Sequence, residues 1–506
     1  MKDRIRILVT SDVHGYCFPY DYADVTEKDY GFARLSTLIK LLKDDNTLVI
    51  DNGDNLEGSP LAYYHYRNEP EEVSPMSIAM KHIGYDYINL GNHDFDRGED
   101  ALFTHLKYVS APCITSNALY RGKTMGPTYV IREIAGKKVA LFGIITHHVP
   151  EWVSQRTIKH MRFQDAYETA KKTVDILKRL EKPDVIICVY HGGFERDLET
   201  GYPIKRLDGE NQGYEILKNI PDIDVLIAGH QHRMLYGNAF GKAYVQINNH
   251  GRELACVDLY TDTNTTEIQV LQADTEPDEE LLEKIRYNEE RCQNWLDQPL
   301  GQTKIDLAIT DPVSARLDKS QVITLLNKMF MELTGAQLAA NSLFLDATGF
   351  HHQITMRDII NTYVFPDTIV VKEITGSILR EYLERCAEFW SVRNEKIVIS
   401  KAFEEPAPKY YNYDMADGVE YTITVSNDPG HRITSLTYNG EEVQDDQVFT
   451  IALNNFRASG GSSFTMLKPC RTLQEIRMDV TELLADYIRK NSPIDFEPVH
   501  NIHIVK

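Results

Sequence analysis

Five apolar runs in the first half of the chain break off in the same way. IRILVTSDVHG (residues 5–15) ends in Asp12 and His14, TLVIDNGDN (47–55) in Asp54, and YDYINLGNHDFD (85–96) in Asn92, His93 and Asp96. PDVIICVYHGG (183–193) then ends in His191, and IDVLIAGHQHR (223–233) in His230 and His232. Each run has the length and apolar character of a strand buried in a sheet, and each stops at a small residue or turn followed by Asp, Asn or His. One such ending means little, because a histidine after a strand is usually a satisfied polar group at a sheet edge. Five in one chain constrain the fold strongly: in open α/β sheets the carboxyl ends of the strands open on a common crevice, where these side chains can converge. Oxygen and imidazole donors without thiolates suit manganese, zinc or iron(II), and magnesium more weakly. There are enough of them for two ions.

The remaining pattern sets the frame. A chain of 506 residues exceeds what one hydrophobic core usually organises, so two or more domains are expected. Residues 1–274 alternate strand signals with helical periodicity, as in GFARLSTLIKLLKDD and DAYETAKKTVDILKRLEK, which predicts an α/β domain. The segment 275–300 predicts a linker helix, capped by Thr275 and closed by Pro299 and Gly301. From 301 to 506, helical patterns such as SQVITLLNKMFMELTGAQ mix with strand signals and the hairpin-like SLTYNGEEV, which predicts a separate α+β domain. The seven cysteines are scattered with no CxxC pair, which fits reduced thiols and argues against a disulfide framework or zinc ribbon. No apolar run approaches the ~20 residues of a membrane helix, and the start of the chain lacks a signal-peptide core, so the expectation is a cytoplasmic protein without a membrane partner. A formal net charge of -21 with no basic stripe argues against a duplex nucleic acid as partner. A small anionic substrate stays compatible with that charge, since bound cations reverse the field locally.

The order DxH, GD, GNHD, H, GHxH resembles the calcineurin-like metallophosphoesterases, and in particular the two-domain family of 5′-nucleotidases and 2′,3′-cyclic nucleotide phosphodiesterases. The resemblance runs from SDVHG to NNFRASGG and includes DNGDNLEGSPLA. It implies a four-layer metallophosphoesterase sandwich, followed by a nucleotidase C-terminal domain that selects the nucleoside, with domain rotation about the linker delivering substrate. It also implies that Asp12, His14, Asp54 and His232 hold one ion, and that Asp54, Asn92, His191 and His230 hold the other, with Asp54 shared. His93 would face the phosphate as general acid or charge neutraliser, with Asp96 orienting it; Asp94, between them, is read as structural. His147, His148 and His250 also follow strand signals, and polar packing is their default reading.

In the C-terminal half, VFPDTIVVKEITGSILREYLE places Phe365 where the family stacks an aromatic on the base, and NNFRASGG places Phe456 as the opposing ring. Asp367 stands where the family tends to have asparagine. The stretch NSLFLDATGF lacks the arginine typical of the 5′-nucleotidase branch, and Ser462 replaces an acidic residue after the last Gly-Gly. Both departures weaken a 5′-nucleotidase assignment, whereas YNYDMADGVEYTITVS and NNFRASGG resemble the branch that opens 2′,3′-cyclic nucleotides and then removes the remaining 3′-phosphate. The rival readings are a 5′-nucleotidase or nucleotide-sugar hydrolase, a nuclease, and a low-turnover nucleotide sensor. A monomer or weak homo-oligomer is expected.

Overall fold

The computed structural model describes residues 4–204, 207–263, 265–345, 347–363, 367–405 and 408–506. Phe365 lies outside these residues. The chain divides into two units, residues 1–293 and 294–506.

In the first unit the strands of the two main sheets are, in chain order, β1 (Arg4–Thr10), β2 (Thr47–Asp51), β3 (Tyr87–Ile88), β4 (Val130–Ile134), β5 (Lys137–Ile145) and β6 (Val185–His191). They continue with β7 (Val225–Ile227), β8 (Leu235–Ala239), β9 (Lys242–Gln246), β10 (Glu253–Tyr260) and β11 (Thr265–Gln272). One sheet has the order β11-β10-β1-β2-β3 and the other β8-β9-β7-β6-β5-β4. β1, β2 and β3 are parallel, as are β5, β6, β7 and β9, while β10 and β11, and the outer strands β4 and β8, run antiparallel to their neighbours. The two-residue alternation of strands decides which face goes where. Ile5, Ile7, Val9, Leu48 and Ile50 of the first sheet pack on Leu141, Ile187, Val189, Val225 and Ile227 of the second. The other face of the second sheet (Ala140, Phe142, Ile186, Cys188, Leu226) is covered by Ala166, Ala170 and Val174 of a helix spanning Ala166–Ile176, and by Ile216 and Leu217. With both faces buried, these strands need continuous apolar runs, which is what the sequence supplies. Helices α1 (Phe32–Leu42) and α2 (Pro75–Ile83) flank the first sheet, completing four layers.

The helix after this domain, α3, runs Glu279–Leu296. Thr275 does not cap it, contrary to the sequence reading: its hydroxyl donates to the Arg34 carbonyl. Asp278 stands at the helix start instead, its Oδ1 accepting from Leu281 N–H at 3.4 Å. Its other oxygen accepts from Ser36 at 2.5 Å, Lys40 at 2.6 Å and His82 Nε2 at 2.8 Å, which ties α3 to α1 and to the end of α2. Farther along, Glu289 accepts from the hydroxyls of Tyr20 and Tyr22. Pro299–Gln302 leaves the helix as a short strand paired with Gln353–Thr355.

The second unit contains β12 (Leu338–Ser342), β13 (Ile369–Thr375), β14 (Asp414–Asp417), β15 (Val448–Asn454) and β16 (Thr472–Ile476), in the order β14-β12-β15-β13-β16. The amphipathic helix α4 (Gln321–Thr334) buries Val322, Ile323, Leu325, Leu326, Met329 and Phe330 beside this sheet. A second, four-stranded sheet includes the expected hairpin, Ile433–Tyr438 with Glu441–Glu442, turned by Asn439 and Gly440 at φ 53° and 82°.

Candidate active site

All five strand endings meet at one edge of the first unit. Asp12 and His14 follow β1, Asp54 follows β2, Asn92 and His93 open a 3₁₀ turn (Asn92–Phe95) after β3, His191 ends β6, and His230 and His232 follow β7. Among the described residues, two groups have donor atoms within 4.8 Å of one another: Asp12 with His14 and His232, and Asp54 with His191 and His230. Asp54 Oδ2 lies 3.1 Å from His191 Nε2 and 4.0 Å from His14 Nε2, so its carboxylate touches both groups. Asn92 Oδ1 is 2.8 Å from His230 Nδ1.

The backbone is bent to bring these atoms together. Asp12, His14, Asp54, His230 and His232 all have left-handed φ, between 50° and 70°. That conformation is uncommon outside glycine and stores of order 1–3 kcal/mol at each position, held by the surrounding structure. Two glycines have no room for a side chain: a Cβ on Gly91 would sit 2.2 Å from Asp54 Oδ1, and one on Gly229 would sit 2.6 Å from Ser11 Oγ and 2.9 Å from Asp12 Oδ2. Gly229 therefore ends the apolar run because the His230 turn must press against Asp12, whose carboxylate accepts the His230 N–H at 3.1 Å. Gln231, between the two histidines, accepts from Phe194 N–H and donates to Phe194 C=O, pinning the turn to the chain beyond β6.

Protonation is set by the partners around each ring. His14 Nδ1–H donates to Glu57 C=O at 2.9 Å, and His191 Nδ1–H to Asn52 C=O at 2.5 Å, so both rings turn Nε2 toward the carboxylates. Burial opposes a charge on His191, but Asp54 and Asp12 outweigh it and push its pKa up to about 10. His14 Nε2 also lies 2.9 Å from His232 Nε2. Burial, then the neighbouring His232, pushes His14 down to about 4. Asp54 Oδ2 and His191 Nε2 are buried and make no satisfactory hydrogen bond. Carboxylate oxygens and imidazole nitrogens gathered within 4.8 Å of one another form an O/N donor set that fits divalent cations.

His93 differs from the donors. Its N–H donates to Asp54 Oδ1 at 2.7 Å and its Nδ1–H to Asp96 Oδ2 at 2.6 Å, which leaves Nε2 as the outward nitrogen. Burial opposes a charge on this ring, but the carboxylates of Asp96 and Asp54 outweigh it and push the pKa up to about 10. Asp94 points away from the cluster; its carboxylate accepts the N–H groups of Gly91, Asp54, Asn55 and Leu56 and so folds the loop that presents Asp54. His250 donates its N–H to Asp12 C=O, and the Asn249 amide nitrogen lies 3.3 Å from His232 Nδ1 and 3.2 Å from His250 Nε2. His147 and His148 are not among the clustered donors; His148 neighbours Trp152, whose indole packs on His230 at 5.2 Å between ring centroids. Glu57, Asn249 and Glu210 were missed by sequence reasoning. Glu57 binds Arg97 at 2.6 Å, and Glu210 Oε1 lies 3.2 Å from His230 Nε2.

In the second unit, Phe456 is half-buried on the short helical turn Asn455–Ala458. Thr368 and Asn455 exchange two hydrogen bonds that join its segment to that of Asp367. Asp367 is buried and accepts from the Tyr363 hydroxyl at 3.1 Å. Arg457, next to Phe456, is committed inward to Asp414 by two hydrogen bonds of 2.6 and 2.9 Å.

A two-sheet sandwich with two O/N donor groups at the strand ends presents a candidate metal centre of the kind that metal-dependent phosphoester hydrolases use. Residues 5–234 match the family model of the calcineurin-like phosphoesterases and residues 299–469 that of the 5′-nucleotidase C-terminal domain. A Staphylococcus aureus protein provisionally named a 5′-nucleotidase, solved in complex with alpha-ketoglutarate, is 30% identical, with TM-score 0.94 over 99% of this chain and 100% of that one. The chain therefore belongs to the calcineurin-like phosphoesterases with a 5′-nucleotidase C-terminal domain, a family of hydrolases acting on nucleotide phosphoesters. The 2′,3′-cyclic-nucleotide 2′-phosphodiesterase/3′-nucleotidase of Salmonella typhimurium is 25% identical over 90% of this chain and 81% of its own length. The trifunctional nucleotide phosphoesterase YfkN of Bacillus subtilis is 24% identical over 97% of this chain, which spans 38% of that longer protein.

Proposed function

We propose that this chain hydrolyses nucleotide phosphoesters, with 2′,3′-cyclic nucleotides and nucleoside 3′-monophosphates as its substrates, at a centre of two divalent ions. The observation that carries the reading is the pair of adjacent donor groups, with Asp54 Oδ2 3.1 Å from His191 Nε2 and 4.0 Å from His14 Nε2, and with the His93 backbone N–H on the other oxygen of that carboxylate. Asp12, His14, Asp54 and His232 would hold one ion, and Asp54, Asn92, His191 and His230 the other, with manganese, zinc or iron suited to the donors. Two such ions supply electrophilic stabilisation of the phosphoryl oxygens and activation of the attacking water. His93, fixed by Asp96, presents Nε2–H toward the crevice, where it can neutralise developing charge or protonate the leaving oxygen. Positive charge bound at Asp54 offsets that carboxylate's pull, so the working pKa of His93 lies below its value in the metal-free geometry. Phe456, with Phe365, would stack on the base, and Asp367 would act near them through its hydrogen bonds.

The cyclic and 3′-specific reading is supported by the absent arginine in NSLFLDATGF and by the activity named for the Salmonella relative. A 5′-nucleotidase is the second reading, favoured by the name of the Staphylococcus relative. Product analysis with manganese-loaded protein separates them. Adenosine released faster from 2′,3′-cyclic AMP and 3′-AMP than from 5′-AMP is the expected result; the reverse order overturns the regiochemistry while leaving the centre in place. Turnover of none of the three would favour a sensor.

A further inference from the structure

His230 is the donor histidine whose ring is gripped on three sides. Its Nδ1 faces Asn92 Oδ1 at 2.8 Å, its Nε2 faces Glu210 Oε1 at 3.2 Å, and Trp152 packs on its face. His14 and His191 are oriented by neutral backbone carbonyls, whereas His230 is oriented by a carboxylate. The Glu210 carboxylate is itself held: Asn211 Nδ2 donates to the same Oε1 at 2.9 Å, and Asn211 Oδ1 anchors on Gly193 N–H at 2.7 Å. The Glu210 carbonyl accepts from Thr146 Oγ1 at 2.7 Å, which fixes the backbone beside β5. Both neighbours are acceptors and the neutral ring has one proton; placed on Nε2 toward the charged carboxylate, it leaves the lone pair on Nδ1, facing Asn92 Oδ1. A cation between these two atoms reconciles them.

We propose that Glu210 is a positioning residue of the second cation site: it fixes the His230 tautomer so that Nδ1 is the donor, and its charge strengthens that site alone. The proposal rests on the two-ion reading above. A carboxylate behind a ligating imidazole orients the ring and raises its basicity, and losing such a partner typically lowers metal affinity about 10–100-fold. An ordinary solvent-facing ion pair has no such site-selective effect.

The test is calorimetric titration of chelator-stripped protein with manganese, with bound metal counted by mass spectrometry after dialysis, for wild type, Glu210→Ala and Glu210→Gln. The expected result is two ions on wild type. Glu210→Ala should keep one ion at unchanged affinity and hold the other about 10–100-fold more weakly. Glu210→Gln, which retains an acceptor but not the charge, should fall between them. Two ions of unchanged affinity in Glu210→Ala would overturn the proposal, as would equal weakening of both sites with a lowered melting temperature of the metal-free variant. If Glu210→Ala does not fold, Glu210→Gln decides: weakening of one site supports the proposal and no weakening overturns it. Fewer than two ions on wild type would remove the two-ion reading itself, and the proposal with it.

Discussion

The chemistry of this protein turns on single atoms. His93 touches the Asp54 carboxylate through its backbone and Asp96 through its ring, so its imidazole can be removed without removing a proposed metal donor. His93→Ala should lower kcat about 10²–10⁴-fold while metal content stays at two ions per chain; loss of metal in step with activity would mark it as a ligand instead. Gly91→Ala tests the close approach on which the site depends. Its Cβ would meet Asp54 Oδ1 at 2.2 Å, so the Asp54 carboxylate must move. A stability loss of about 1–3 kcal/mol by denaturant unfolding, together with lost metal affinity, is expected. The clustered side chains of the candidate site stand out in the sequence because they lie at or within a few residues of strand ends. Glu210 does not: it lies 20 residues before His230, in a polar loop without periodicity, and only the folded chain brings it to the ring.

At the scale of elements, the strands and helices follow from local patterning, and the misreading occurred where tertiary contacts chose between two caps. Thr275 and Asp278 both flank the start of α3, and Pro277 is compatible with either. Asp278 wins because Ser36, Lys40 and His82 converge on its carboxylate, partners that no local sequence window contains. Burial raises the pKa of this group, but the hydrogen bonds from Lys40, Ser36 and His82 outweigh it and hold the carboxyl well below the usual range. A depressed folded-state pKa contributes stability that is present above the unfolded value of about 3.9 and is lost as pH falls toward the folded value. Asp278→Asn should therefore cost about 1–3 kcal/mol at neutral pH. Urea unfolding of both proteins should show the gap narrowing below about pH 4; a gap independent of pH would mean the charge contributes nothing. The Phe456 turn is likewise local, but its proposed role depends on distant segments that the sequence alone does not join.

For the whole molecule, fold class and family were readable because five strand endings in one order are a long-range pattern written in local pieces. The texture of the sequence changes near residue 275, and the two compact units meet within α3, between Gln293 and Asn294. α3 is fastened along its length, by Asp278 at its start and by Glu289 to Tyr20 and Tyr22, so most of the helix belongs to the first unit. Among the described residues, no helix is long and apolar enough to cross a membrane. The central claim is that one carboxylate, Asp54, joins two ions into a single hydrolytic centre. The most direct measurement is manganese stoichiometry and 2′,3′-cyclic AMP hydrolysis of stripped and reloaded protein, comparing wild type with Asp54→Asn. Two ions and restored turnover on wild type, with both binding events weakened and turnover lost in Asp54→Asn, is the predicted result. Full turnover without divalent metal, or an Asp54→Asn protein that binds two ions as tightly as wild type, would contradict it.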